Sequence, residues 1–124
     1  MITGFEKYTG DLTRYEQNVL LPAVISGMRS RVGGDNAISG KEAVKIMRSR
    51  GYKIDGARFR KILHVIRVSG AVKGIVGTSR GYFIARNADE WRDYLKSINE
   101  RSRHVQALAD ALTSQYHDWK REDN

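Results

Sequence analysis

The stretch Asp55-Gly56-Ala57-Arg58-Phe59-Arg60-Lys61-Ile62-Leu63-His64-Val65-Ile66-Arg67 decides how this chain reads. Wound as a helix, it sets Phe59, Ile62, Leu63 and Ile66 at the i, i+3, i+4, i+7 spacing of one apolar stripe. Ala57, Lys61 and His64 fall opposite, with Arg60 and Arg67 flanking that outer face on one side and Arg58 on the other. A stripe that seals against a core, backed by a basic surface with small residues, suits a helix that lies against phosphates and base edges. The stretch therefore reads as the recognition helix of a nucleic-acid-binding module.

Its surroundings supply the rest of such a module. Ser39-Gly40-Lys41-Glu42 is a capping box that opens a helix through Ala43, Val44 and Met47 to Arg50, with Gly51 as a left-handed stop. Tyr52-Lys53-Ile54 makes the turn, Asp55 caps the basic helix and Gly70 ends it. Two helices joined by a tight turn form a helix-turn-helix. Upstream, Ala37-Ile38 suits a minimal strand paired with a later hairpin. Downstream, Ala71 to Gly77 and Tyr82 to Ala85 flank the turn Thr78-Ser79-Arg80-Gly81 and read as that hairpin.

The two ends of the chain read differently. Residues 1–12 are polar and Gly-rich, an arm with Phe5 and Tyr8 as its large anchors. Thr13-Arg14-Tyr15-Glu16 is another capping box, opening a helix whose apolar face runs Leu21, Ile25, Met28, Val32 and which Gly33-Gly34 ends. Pro22 inside it predicts a kink, because proline has no N–H to donate. After Asn87-Ala88-Asp89-Glu90 comes the longest helical segment. In it Trp91, Leu95, Ile98, Ser102, Val105, Ala109, Leu112, Tyr116 and Trp119 recur at alternating spacings of four and three, a heptad seam. Such a helix outlasts the body a small domain offers, so Ile98, Val105, Leu112, Tyr116 and Trp119 are expected to mediate a homodimer. The alternative is packing of its early part on the first helix, with self-association confined to its later part.

Size and charge set bounds on these readings. At 124 residues the chain allows one modest core, organised here as an arm 1–12, a core 13–86 and a carboxyl-terminal helix 87–124. The net charge is +8, and +7 of it lies between Lys41 and Arg67, while the segment from Ala88 onward sums to −2. Charge this local predicts a defined basic surface and a polyanionic partner. There is no cysteine, hence no disulfide or thiolate metal site. Neither a signal peptide nor a membrane-spanning run is read, so a cytoplasmic protein is expected.

The inferred order of helix, short strand, helix, helix, two-stranded hairpin and helix resembles the winged helix-turn-helix fold, an α+β and mostly helical architecture. Gly56-Ala57-Arg58-Phe59-Arg60-Lys61-Ile62 together with Gly77-Thr78-Ser79-Arg80-Gly81-Tyr82-Phe83-Ile84 is similar to small winged-helix proteins that bacteriophages and mobile elements encode. The resemblance implies that Asp55 to Ser69 enters the major groove of double-stranded DNA, and that the turn at Ser79-Arg80 is a short wing beside a phosphate or the minor groove.

On that reading Lys41, Lys45, Lys53, Ala57, Arg58, Arg60, Lys61, His64, Arg67 and Arg80 are the candidate nucleic-acid contacts. Arg58, Arg60 and Lys61 stand foremost, because Arg offers a planar fork and Lys a point charge. The plainer reading of each is a solvated helix face; Asp55 is first a cap, and Tyr52, Tyr82 and Phe83 are core or rim aromatics. His64, His104 and His117 have no partner at metal-ligand spacing. With no phosphate-binding Gly loop and no nucleophile beside a base, neither an enzyme nor a cofactor is expected. A phage-type regulator or replication accessory is the first expectation. The rivals are a protein-interaction adaptor, or an inhibitor of a host protein or ribonucleoprotein, and an RNA-binding winged helix.

Overall fold

Thr13 and Glu16 close a capping box. The Thr13 hydroxyl accepts from the Glu16 N–H at 3.1 Å and the Glu16 carboxylate accepts from the Thr13 N–H at 2.8 Å. This opening belongs to a computed structural model that describes residues 11–123; the expected anchors Phe5 and Tyr8 lie outside the described residues. The chain winds through a π-helical turn, Glu16–Leu20, directly into α1 (Leu21–Arg29). The Leu21 N–H reaches back to the Glu16 carbonyl. The wider turn ends two residues before Pro22, which has no N–H to donate to the ladder.

α1 stops earlier than the sequence suggests. The Arg31 carbonyl accepts from the Ile84 N–H at 2.6 Å and the Gly33 N–H donates to the Ile84 carbonyl at 2.9 Å. Val32, expected on the apolar face of the helix, thus sits in a parallel bridge to Ile84 instead. Extended pairing with the hairpin edge satisfies these backbone groups, and the helix cannot continue through them.

α2 (Gly40–Ser49) begins with the expected Ser39–Glu42 capping box, and α3 (Gly56–Ser69) begins at Asp55, whose carboxylate accepts from the Arg58 N–H at 2.8 Å. A cap of this kind contributes about 1 kcal/mol. Gly51 and Gly70 carry the expected left-handed stops, with φ of 92° and 78°.

The hairpin pairs β1 (Ile75–Thr78) with β2 (Gly81–Ile84), antiparallel, in the register Ile75 to Ile84 and Thr78 to Gly81. Ser79 and Arg80 form its tip. The expected strand at Ala37-Ile38 is a single antiparallel bridge, with two hydrogen bonds between Ile38 and Tyr82. Gly81 makes it possible: its φ is +123°, and a Cβ there would lie 2.4 Å from the Ile38 carbonyl.

α3 lies at the centre of the core. Phe59, Ile62, Leu63 and Ile66 are buried as the spacing predicts, and Val65 is buried as well. The wider stripe follows from α3 packing against both α1 and α2. Leu12, Leu20, Leu21, Val24, Met28, Ile38, Ala43, Ile54, Val72 and Ile75 join them in the cluster.

The chain divides into two compact units after Asn87. The second contains α4 (Ala88–Asp123). Every residue from 99 to 122 on it is exposed. Among the described residues no helix is long and apolar enough to cross a membrane.

Candidate nucleic-acid interface

Packing one face of α3 leaves the other outside. Ala57, Arg60 and His64 are exposed, and Lys61 and Arg67 are partly so. Because the buried stripe fixes the rotation of the helix, Arg60 and Lys61 project from the domain while Ile62 and Leu63 are enclosed.

Three of the cations are held differently. Arg60 folds back over the first turn of α3, where a Cβ on Gly56 would lie 3.5 Å from its Nη1. Lys61 pairs with Asp11, Nζ to Oδ2 at 3.0 Å, and this hydrogen bond lowers the Asp11 carboxyl below its ordinary range. Both partners face solvent, so a phosphate can exchange for Asp11. Arg58 is bound more tightly. Its Nε and Nη2 meet Glu16 Oε2 and Oε1 at 2.5 and 2.6 Å, a bidentate fork on a carboxylate that is only 7% exposed. The Arg58 side chain stays 40% exposed, so it offers its edge to a ligand while its charge is largely matched. Hydrogen bonding to Arg58 is the main reason the Glu16 carboxyl drops to about 2, against the opposing effect of burial.

α2 brings Lys41 to the same region. Gly40, Lys41, Val44, Gly56, Arg60 and Tyr82 line an open hollow of about 390 Å³. It lies where the amino ends of α2 and α3 approach each other, and glycine is the first residue of both. A Cβ on Gly40 would touch the Phe59 ring at 3.7 Å, and Phe59 in turn packs on Tyr82 with ring centroids 6.3 Å apart. Lys41 and Arg60 bring two cations to this hollow, and Glu42 and Asp55, the carboxylates that cap α2 and α3, stand at the same two helix ends.

The remaining sequence candidates are spread around it. Lys45 is exposed on α2, and Lys53 is exposed in the α2–α3 connection, where its N–H donates to the Tyr15 hydroxyl at 3.0 Å. Arg80 is exposed at the hairpin tip, and its N–H donates to the Thr78 hydroxyl at 3.2 Å. Neither Lys45, Lys53 nor Arg80 lines the hollow.

Two participants escape sequence reasoning. Tyr82 reads as a core or rim aromatic with no part in a site, whereas it is partly buried and lines the hollow. Glu16 reads only as a cap; nothing local announces a partner 42 residues away. A second hollow of about 450 Å³ lies between α1 and α2, with Val24, Ala43 and Met47 on its apolar floor and Arg31 and Arg50 among its lining residues. Among the described residues no cluster of three His, Cys, Asp or Glu side chains could hold a metal ion. Compared with known proteins, the chain matches no family model, no curated protein and no solved structure.

Proposed function

We propose that this chain is a winged helix-turn-helix protein that binds double-stranded DNA without catalysing a reaction, with α3 as its recognition helix and the β1–β2 turn as a short wing. The order of helix, bridge, helix, helix, hairpin and helix supports the fold. The observation that carries the function is the hollow between the amino ends of α2 and α3, flanked by Lys41 and Arg60 and continuous in sequence with the outward face at Ala57, Lys61 and His64. A phosphate seated there would fix the register of α3, leaving Arg60, Lys61 and His64 to meet base edges or neighbouring phosphates. The role is that of a phage-type regulator or replication accessory, acting as a homodimer through α4.

The test is a mobility shift with duplex DNA across a salt series. Each phosphate neutralised contributes a slope of about −0.9 in log affinity against log salt. Arg60→Ala with Lys61→Ala weakens binding at least tenfold and flattens the slope, while the circular dichroism spectrum is unchanged. If the double variant binds duplex DNA as tightly as the parent, the assigned face is wrong.

A second reading has its own support in the larger hollow, whose apolar floor and Arg31 and Arg50 rim suit a segment of an acidic protein. On it the chain is an adaptor, or an inhibitor of a host protein or ribonucleoprotein, and shows no duplex affinity at moderate salt. Preference for structured RNA over duplex in competition would instead favour RNA as the ligand.

A further inference from the structure

The strongest unused feature of the molecule is the apolar stripe on α4. Val105 is 66% exposed and Trp119 61%, with Leu112 and Tyr116 between them at half exposure or more. We propose that α4 pairs with the α4 of a second copy of this chain, and that the two helices run antiparallel about a two-fold axis between Asp110 and Ala111. The inference rests on the reading of α4 as the dimer element and adds its direction and register.

Side-chain size decides the direction. Over residues 102–119, where every side chain of the stripe is exposed, the amino-terminal half is small, with Ser102, Val105 and Ala109, and the carboxyl-terminal half is large, with Leu112, Tyr116 and Trp119. A parallel pair in register would stack like on like, leaving a polar gap at Ser102 and crowding two indoles at Trp119. In the antiparallel pair one register opposes Trp119 to Ser102, Tyr116 to Val105 and Leu112 to Ala109. Symmetry then repeats all three, giving six layers of large against small at near-constant volume.

Two further observations point the same way. The large half is already assembled within one helix: the Tyr116 and Trp119 rings lie 6.1 Å apart, and the Lys120 ammonium sits 5.9 Å from the Tyr116 centroid. On the flanks this register matches one pair of opposite charges, Arg101 with Glu122 of the other copy, which symmetry repeats, and sets Lys120 beside the neutral Asn99. A parallel pair would set Arg101 against Gln106 and Gln115 against Lys120, with no opposite charges matched. Four aromatic rings and the aliphatic residues between them can withdraw on the order of 1,000 Å² from water, the scale of a specific interface.

The absence of cysteine makes the test clean. The full chain is weighed by sedimentation at about 100 µM, then Ser102→Cys and Trp119→Cys variants are oxidised separately and as a mixture. The proposal expects a doubled mass and a disulfide joining positions 102 and 119 in the mixture only. In a parallel pair each variant would cross-link with itself, which overturns the direction while leaving the dimer intact. A doubled mass with no cross-link in any arm overturns the register. A monomeric parent overturns both the register and the reading of α4 as a dimer element.

Discussion

The helices α3 and α4 are both amphipathic and both carry their apolar residues at helical spacing, yet α3 buries five residues and α4 leaves even its tryptophans in contact with solvent. The difference lies in what surrounds each stripe. α3 is fourteen residues long and packs against α1 and α2, so its apolar face is the centre of a core. α4 is 36 residues long and from residue 99 to residue 122 presents every side chain to solvent. The same periodicity thus accompanies a completed interior in one helix and an exposed apolar face in the other.

Substitutions can break this contrast, and the largest effect belongs to α3. Phe59→Ala should cost about 3–5 kcal/mol, because the ring fills the centre of the core and its loss leaves a cavity. Chemical denaturation followed by circular dichroism measures it. Fluorescence would mislead here, since both tryptophans, Trp91 and Trp119, lie on α4.

Next in size is the ion pair that ties α3 to the start of the chain. Glu16 titrates at about 2 in the folded protein against 4.5 ordinarily. Its carboxyl is depressed, so the stability it lends is fully present above about pH 4.5 and is lost as the pH falls toward 2. Glu16→Gln should therefore cost about 1–2 kcal/mol at neutral pH and flatten the decline of stability between pH 4.5 and 2, the solvent around Arg58 tempering the effect. A decline as steep in the variant as in the parent would assign the acid sensitivity to other groups.

The smallest effect should come from α4. Leu112→Ala should leave the unfolding of the first unit unchanged within about 0.5 kcal/mol, since no cavity opens in a side chain already half exposed. The same change should shift the sedimenting mass toward that of a single chain. A loss of stability comparable with that of Phe59→Ala would show that the stripe of α4 is a core after all, and the contrast between the two helices would be gone.

Much of the fold was legible because local rules and the tertiary structure agree. The capping boxes at Thr13 and Ser39, the Asp55 cap, the left-handed Gly51 and Gly70 and the tip at Ser79-Arg80 each depend on groups within a few residues, so sequence suffices to place them. The exposure of Arg60 and His64 was legible for the same reason: burying Phe59, Ile62, Leu63 and Ile66 determines which way the opposite face looks. Val32 was misplaced because its partner is Ile84, and the helix period cannot foresee a bridge to a hairpin fifty residues on. Arg58 shows the limit most clearly, since by spacing it belongs to the outer face with Arg60, but Glu16 takes its guanidinium.

By itself, then, the order of residues determined the helices, their caps, the outward basic face and the uncovered stripe, all of which follow from periodicity and short-range hydrogen bonding. Only the tertiary structure decided that Gly40 and Gly56 line one hollow, that Tyr82 shares it, and that Arg58 pairs with the buried Glu16 carboxylate. Those facts depend on contacts between distant segments, and a backbone pattern carries no information about which distant group will satisfy a charge.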